Sequence, residues 1–140
     1  MSLKSLPDLV FHRDVWLMVF QPRGILTEDR LRETLATLEE AEDAADKPFN
    51  RFTDFSKLDA VDLDFQTIFS LSLYRRLTYA NRPPVKSAFY VTSEALVRIV
   101  KLHALLTNHS PLIVRMFKDL AEAATWLGVP VDKLTVAPQP

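Results

Sequence analysis

Apolar and polar positions along this chain change period several times, and each change marks an element. After Pro7, residues 8–14 form a short strand-like segment, followed by the bulky, β-branched run Val15-Trp16-Leu17-Met18-Val19-Phe20-Gln21. The two predict strands joined by a tight turn at Arg13-Asp14, an antiparallel pair whose second member is buried on both faces. Gln21-Pro22-Arg23-Gly24 breaks the pattern. Thr27 then offers an N-cap, Glu28 and Asp29 suit the positive end of a helix dipole, and Leu31, Leu35 and Leu38 recur at helical spacing. A first helix over Glu28–Ala45 follows. Glu39, Glu40, Glu42 and Asp43 crowd its last turns, the wrong sign for that end of the dipole. The expectation there is a fraying end with a solvated acidic face.

Residues 49–54 alternate as a third strand should, and 55–62 read as a loop. Asp64 is a natural N-cap for a second helix, with Phe65, Ile68, Phe69, Leu73, Leu77 and Ala80 expected on its buried face. Asn81-Arg82-Pro83-Pro84 ends it, since Pro83 forces Arg82 out of the helical region. A fourth strand spans 85–91, and Thr92-Ser93-Glu94 supplies capping chemistry for a third helix reaching Leu106. A fifth strand covers 112–117. Asp119 with Glu122 forms a capping box for the last helix, and Gly128 stands where a left-handed C-cap belongs. The order β-β-α-β-α-β-α-β-α predicts an α/β fold: a mixed, mostly parallel five-stranded sheet with four helices joined by right-handed crossovers. Residues 1–128 make one domain, and 129–140, with Pro130, Pro138 and Pro140, make a loosely held tail.

Composition narrows the function. Among 140 residues there are 17 basic and 18 acidic side chains, a net charge of −1 that gives no footprint for nucleic acid. The absence of cysteine excludes thiolate metal sites, disulfides and cysteine nucleophiles. The only two glycines, Gly24 and Gly128, stand far apart, so no glycine-rich phosphate loop can be written. Nothing near the start resembles a signal peptide, and no apolar run is long enough to span a bilayer, so a cytoplasmic location is the default expectation.

The candidate chemistry is sparse. His12, His103 and His109 lack metal-ligand spacing, and Asp54, Asp59, Asp62 and Asp64 lack the glycine and glutamate of a calcium loop. No catalytic residue, cofactor or metal site is assigned. Arg75, Arg76 and Arg82 gather at the end of the second helix, where they complement its dipole and form a candidate anion site. The third helix carries Leu96, Val97, Ile99, Val100, Leu102, Leu105 and Leu106, a wider apolar arc than one core covers. Leu102 and Leu105 are the candidates for an interface on its outer side.

Element order and two stretches of residues resemble the STAS domain, in particular the SpoIIAA-like bacterial relatives. The first stretch is Thr53-Asp54-Phe55-Ser56-Lys57-Leu58-Asp59-Ala60-Val61-Asp62, similar to the family's Asp-Phe-Ser-Lys-type turn. The second is Val114-Arg115-Met116-Phe117-Lys118-Asp119-Leu120-Ala121-Glu122-Ala123, with Trp126-Leu127. The resemblance implies a partner or ligand loop at Asp54, Ser56, Asp62, Leu63 and Asp64. In signalling members a phosphorylated serine follows the aspartate. Here Leu63 holds that position, so the phosphoserine switch is absent there. Two functions lead: a non-enzymatic STAS-like regulatory module acting through self-association or another protein, or a carrier of a small apolar or lipid ligand, as comparison with CRAL-TRIO domains implies; for a third, an enzyme, no nucleophile–base pair, metal set or cofactor loop speaks.

Overall fold

The structure, a computed structural model, describes residues 6–136. Its main sheet comprises β1 (Leu9–His12), β2 (Leu17–Phe20), β4 (Asn50–Asp54), β6 (Val85–Tyr90) and β7 (Leu112–Phe117), in the order β1-β2-β4-β6-β7. Only β1 runs antiparallel, pairing Leu9 with Phe20 and His12 with Leu17. The β2–β4, β4–β6 and β6–β7 ladders are parallel, as the alternation of strands and helices requires.

Two short strands belong to no periodic run in the sequence. The break after Gln21 and the 55–62 loop contain β3 (Gly24–Thr27) and β5 (Leu58–Asp62), which pair in parallel as a separate two-stranded sheet. Each is four or five residues long and flanked by turn residues, so local pattern carries little of their signal. Tertiary pairing decides them. Gly24 takes the left-handed φ of 71° where the chain enters β3.

Helices α1 (Glu28–Ala45), α2 (Phe65–Thr78) and α3 (Glu94–Leu106) cover one face of the main sheet, over Met18, Phe20 and Phe89. Helix α4 (Leu120–Leu127) covers the other, over Leu17, Val19, Phe52 and Ala88. The caps fall where the residue types place them. Thr27 accepts from the Arg30 N–H, Asp64 from Thr67, and Asp119 from Ala121 and Glu122, while Gly128 closes α4 at φ 73°. Ser93 occupies the α3 N-cap without a side-chain bond to the helix.

Three expectations are corrected. Helix α1 stays regular to Ala45, and much of its acidic end is paired: Glu42 is buried against Arg51, Glu39 pairs with Arg75, and Asp43 meets Arg82 at the surface. Helix α2 buries Ile68 as expected but turns much of the rest of the expected apolar face outward. Ile68, Ser72, Arg75 and Tyr79 face inward, while Phe65 and Leu77 are 64% and 76% exposed and Phe69 is exposed too. The buried stripe is polar because Arg75 and Tyr79 have buried partners, which the apolar count of the helix conceals. Beyond Gly128, a 3₁₀ turn at Val131–Leu134 packs Leu134, fully buried, against the α4 side of the sheet. Residues 137–140 of the expected tail lie outside the described residues.

Candidate functional site

Strand alternation puts Arg51 and Thr53 of β4 on the face covered by α1, α2 and α3, while Phe52 faces α4. An arginine in the middle of a covered sheet needs a counter-charge, and α1 supplies it. Arg51 donates from one terminal nitrogen to Glu42 Oε2 at 3.0 Å, to the Phe49 carbonyl at 3.1 Å and to the Tyr79 hydroxyl at 3.0 Å. Glu42 also accepts the Phe49 N–H at 2.7 Å and the Tyr79 hydroxyl proton. Arg75 reaches the same hydroxyl at 2.7 Å, and its other terminal nitrogen meets Glu39 at 3.3 Å. Burial holds the proton on the Tyr79 phenol against the opposing pull of Arg51 and Arg75, so the hydroxyl can donate to Glu42 while accepting from both.

Beside this cluster lies a cavity of about 130 Å³ between α1, α2, α3 and the sheet. Its wall is predominantly apolar, with Leu31 and Leu35 from α1, Leu63 and Ile68 at the start of α2, and Phe89 and Ile99 opposite. Arg51, Arg75 and His103 also line it. His103 Nδ1 lies 2.8 Å from the Ser72 hydroxyl. Burial first, then the charges of Arg75 and Arg51, lower the imidazole pKa from 6.5 to about 4, so the ring is neutral at pH 7. That value makes it a weak base, and Ser72 is buried outside the cavity lining, so the contact does not form an activated nucleophile.

The residues singled out in the sequence divide among separate places. Asp54 is buried and accepts from Gln21 Nε2 at 2.9 Å and from the Ser56 N–H and hydroxyl at 2.8 and 2.6 Å, which locks the turn after β4. Leu63 belongs to the cavity wall. Asp62 and Asp64 face an open polar recess with Glu28, Asp29 and Thr67. There Glu28 accepts from the Thr67 hydroxyl at 3.1 Å and ties the two helix N-termini together. Among the described residues no group of three or more His, Asp or Glu is placed to hold a metal. The candidate anion site is dispersed. Arg75 is spent on Glu39 and Tyr79, Arg82 meets Asp43, and Arg76 donates to the carbonyls of Leu106 and Asn108. On α3, Leu105 is exposed and Leu102 half-buried.

Sequence reasoning missed Glu42, Arg51 and Tyr79 as a unit. One signal was present: acids at the end of the first helix and arginines at the end of the second. Successive parallel crossovers lay such helices side by side in one direction, so those ends meet. The pairs Glu28–Thr67, Glu39–Arg75 and Asp43–Arg82 show that they do.

The fold is shared with a solved structure. A crystal structure of an uncharacterized protein of the DUF3478 family from Shewanella loihica PV-4, described as having a SpoIIAA-like fold, superposes with a TM-score of 0.58. The match has 19% identity and covers 85% of this chain and 90% of that one. The chain therefore has a SpoIIAA-like α/β fold, as the sequence resemblance implied. No family model matches the sequence, and none of the curated proteins matches it. Among the described residues no helix is long and apolar enough to cross a membrane.

Proposed function

We propose that the chain is a non-enzymatic binding module whose ligand is a small, largely apolar molecule enclosed between α1, α2, α3 and the main sheet. The observation that carries this reading is the cavity of about 130 Å³. Close-packed interiors hold few voids larger than a water, and an engineered apolar cavity of roughly 150 Å³ admits benzene. Drug-sized ligands occupy pockets of about 300 Å³ or more, so the volume argues for a compact molecule rather than a lipid. Leu63 supports a module without a phosphoserine switch, since it contributes to the apolar wall. Benzene titrated into ¹⁵N-labelled protein should shift resonances around Leu35, Leu63 and Phe89 in a saturable way. Shifts absent, or confined to Phe65 and Leu77 on the exposed face of α2, would overturn the reading.

A second reading, contact with another protein or a second copy through α3, is supported by Leu105, which is 69% exposed. Under it, Leu105→Glu should convert a dimer to a folded monomer in sedimentation equilibrium. A wild type that stays monomeric at high concentration ends the dimer form of this reading.

A further inference from the structure

We infer that the outer face of α2 is a self-pairing surface, on which α2 of a second copy of this chain packs in the opposite direction about a two-fold axis near mid-helix. The inference rests on the second reading above, commits it to one partner and moves the centre of the contact from α3 to α2.

Helix α2 is held inside by Ile68, Ser72, Arg75 and the Tyr79 that caps it. Away from that face stand Phe65, Phe69, Leu73 and Leu77, one every four residues, a continuous apolar ridge along the helix. The Phe65 and Phe69 rings stack at 6.0 Å, so the two present one surface. Helix α3 lies alongside, tied to α2 by Arg76 through the carbonyls of Leu106 and Asn108, and adds Leu105.

The area is more than scattered surface residues leave. Phe65, Phe69, Leu77 and Leu105 are between 39% and 76% exposed. At about 200 Å² for a large side chain fully in water, they leave roughly 500 Å² of apolar surface open, near the top of the range for a monomer's largest patch. Each half of a standard interface contributes about 800 Å², of which about 65% is apolar in homodimers. The patch supplies that share.

Symmetry and charge select the occupant. A ridge spaced by four and reversed about its midpoint meets itself: Phe65 faces Leu77 of the second copy, and Phe69 faces Leu73. The charges run along the same axis. Exposed Asp62 and Asp64 stand at the start of α2 and exposed Glu94 at the start of α3. Among the described residues none of the three forms an ion pair. Toward the other ends, Arg76 donates to carbonyls alone and Lys101 is exposed without an ion pair among the described residues. Arg98, nearer the middle of α3, weakens this gradient without reversing it. Opposed copies set each acidic end over a basic one, whereas copies lying in the same direction set like charges together. Opposed helix dipoles act in the same sense. The acidic starts also disfavour an anionic membrane on this face.

Sedimentation equilibrium of the full chain at pH 7 should show a concentration-dependent dimer. Leu77→Glu places an unpaired charge at both ends of the paired ridges and should raise the dimer dissociation constant at least about tenfold with the circular dichroism spectrum unchanged. Cross-linking reads the direction, and the absence of native cysteine leaves engineered thiols as its sole targets. Phe65→Cys and Leu77→Cys chains, mixed where the wild type is dimeric and treated with a short bismaleimide, should join chiefly as mixed pairs. Links confined to like chains overturn the opposed pairing, even if Leu77→Glu fails to fold. Leu77→Glu that associates like the wild type, while Leu105→Glu does not, overturns the inference and leaves the second reading standing. A wild type monomeric at high concentration overturns the inference together with the dimer form of that reading, and its pelleting with phosphatidylglycerol vesicles assigns the face to a membrane instead.

Discussion

Removing Glu42 should be among the most damaging single changes the molecule can suffer. Its side chain is fully buried and holds three donors at once: Arg51, the Phe49 N–H and the Tyr79 hydroxyl. Glu42→Leu keeps the approximate volume and strands all three. Breaking a buried ion pair by deleting one partner costs about 3–5 kcal/mol, because the other charge stays in low dielectric. Against the roughly 5–15 kcal/mol that holds a domain together, that is a large fraction. Urea unfolding at pH 7 followed by far-UV circular dichroism reads it as a lower midpoint at unchanged slope. The control is the double variant Glu42→Leu/Arg51→Met, in which neither charge remains. If the cost lies in the abandoned guanidinium, the double variant should recover at least about 2 kcal/mol relative to Glu42→Leu. A single variant losing under about 1 kcal/mol, or a double variant no better than the single, would show that Arg51 finds solvation elsewhere and refute the argument.

Acid should weaken the fold through His103. Its pKa is lowered from 6.5 to about 4 on folding, so the unfolded chain binds the extra proton first. Stability is full above the unfolded value and falls as pH drops through 6.5 toward 4, by about 3 kcal/mol in all. His103→Gln, compared with wild type by urea unfolding across that range, should flatten the slope by this amount, and parallel slopes would contradict it. On α2 the observed burial predicts that Ile68→Ala costs about 2–4 kcal/mol while Leu77→Ala stays within about 0.5. Equal losses in thermal unfolding would contradict this placement of the helix, and a larger loss at Leu77 would mean that it faces the other way.

The order of the main-sheet strands and the four helices, the mostly parallel sheet and the caps at Thr27, Asp64, Asp119 and Gly128 were legible from the chain alone. These depend on local periodicity, on side chains that bond their own backbone, and on crossover handedness, all properties of neighbouring residues or of chirality. What local pattern could not decide was which face of α2 is buried. Counting apolar residues chose Ile68 correctly but also Phe65, Phe69 and Leu77, whereas the structure buries Ser72 beside His103, and Arg75 and Tyr79 because Glu42 and Arg51 wait for them on other elements. The pairing of β3 with β5 and the cavity over Arg51 have the same origin. Each arises from groups distant in sequence that meet only when the layers close, so its energy is absent from any local window. The acidic end of α1 illustrates the difference most simply. Alone it is a poorly matched helix terminus, and in the fold it supplies the counter-charges for Arg51, Arg75 and Arg82.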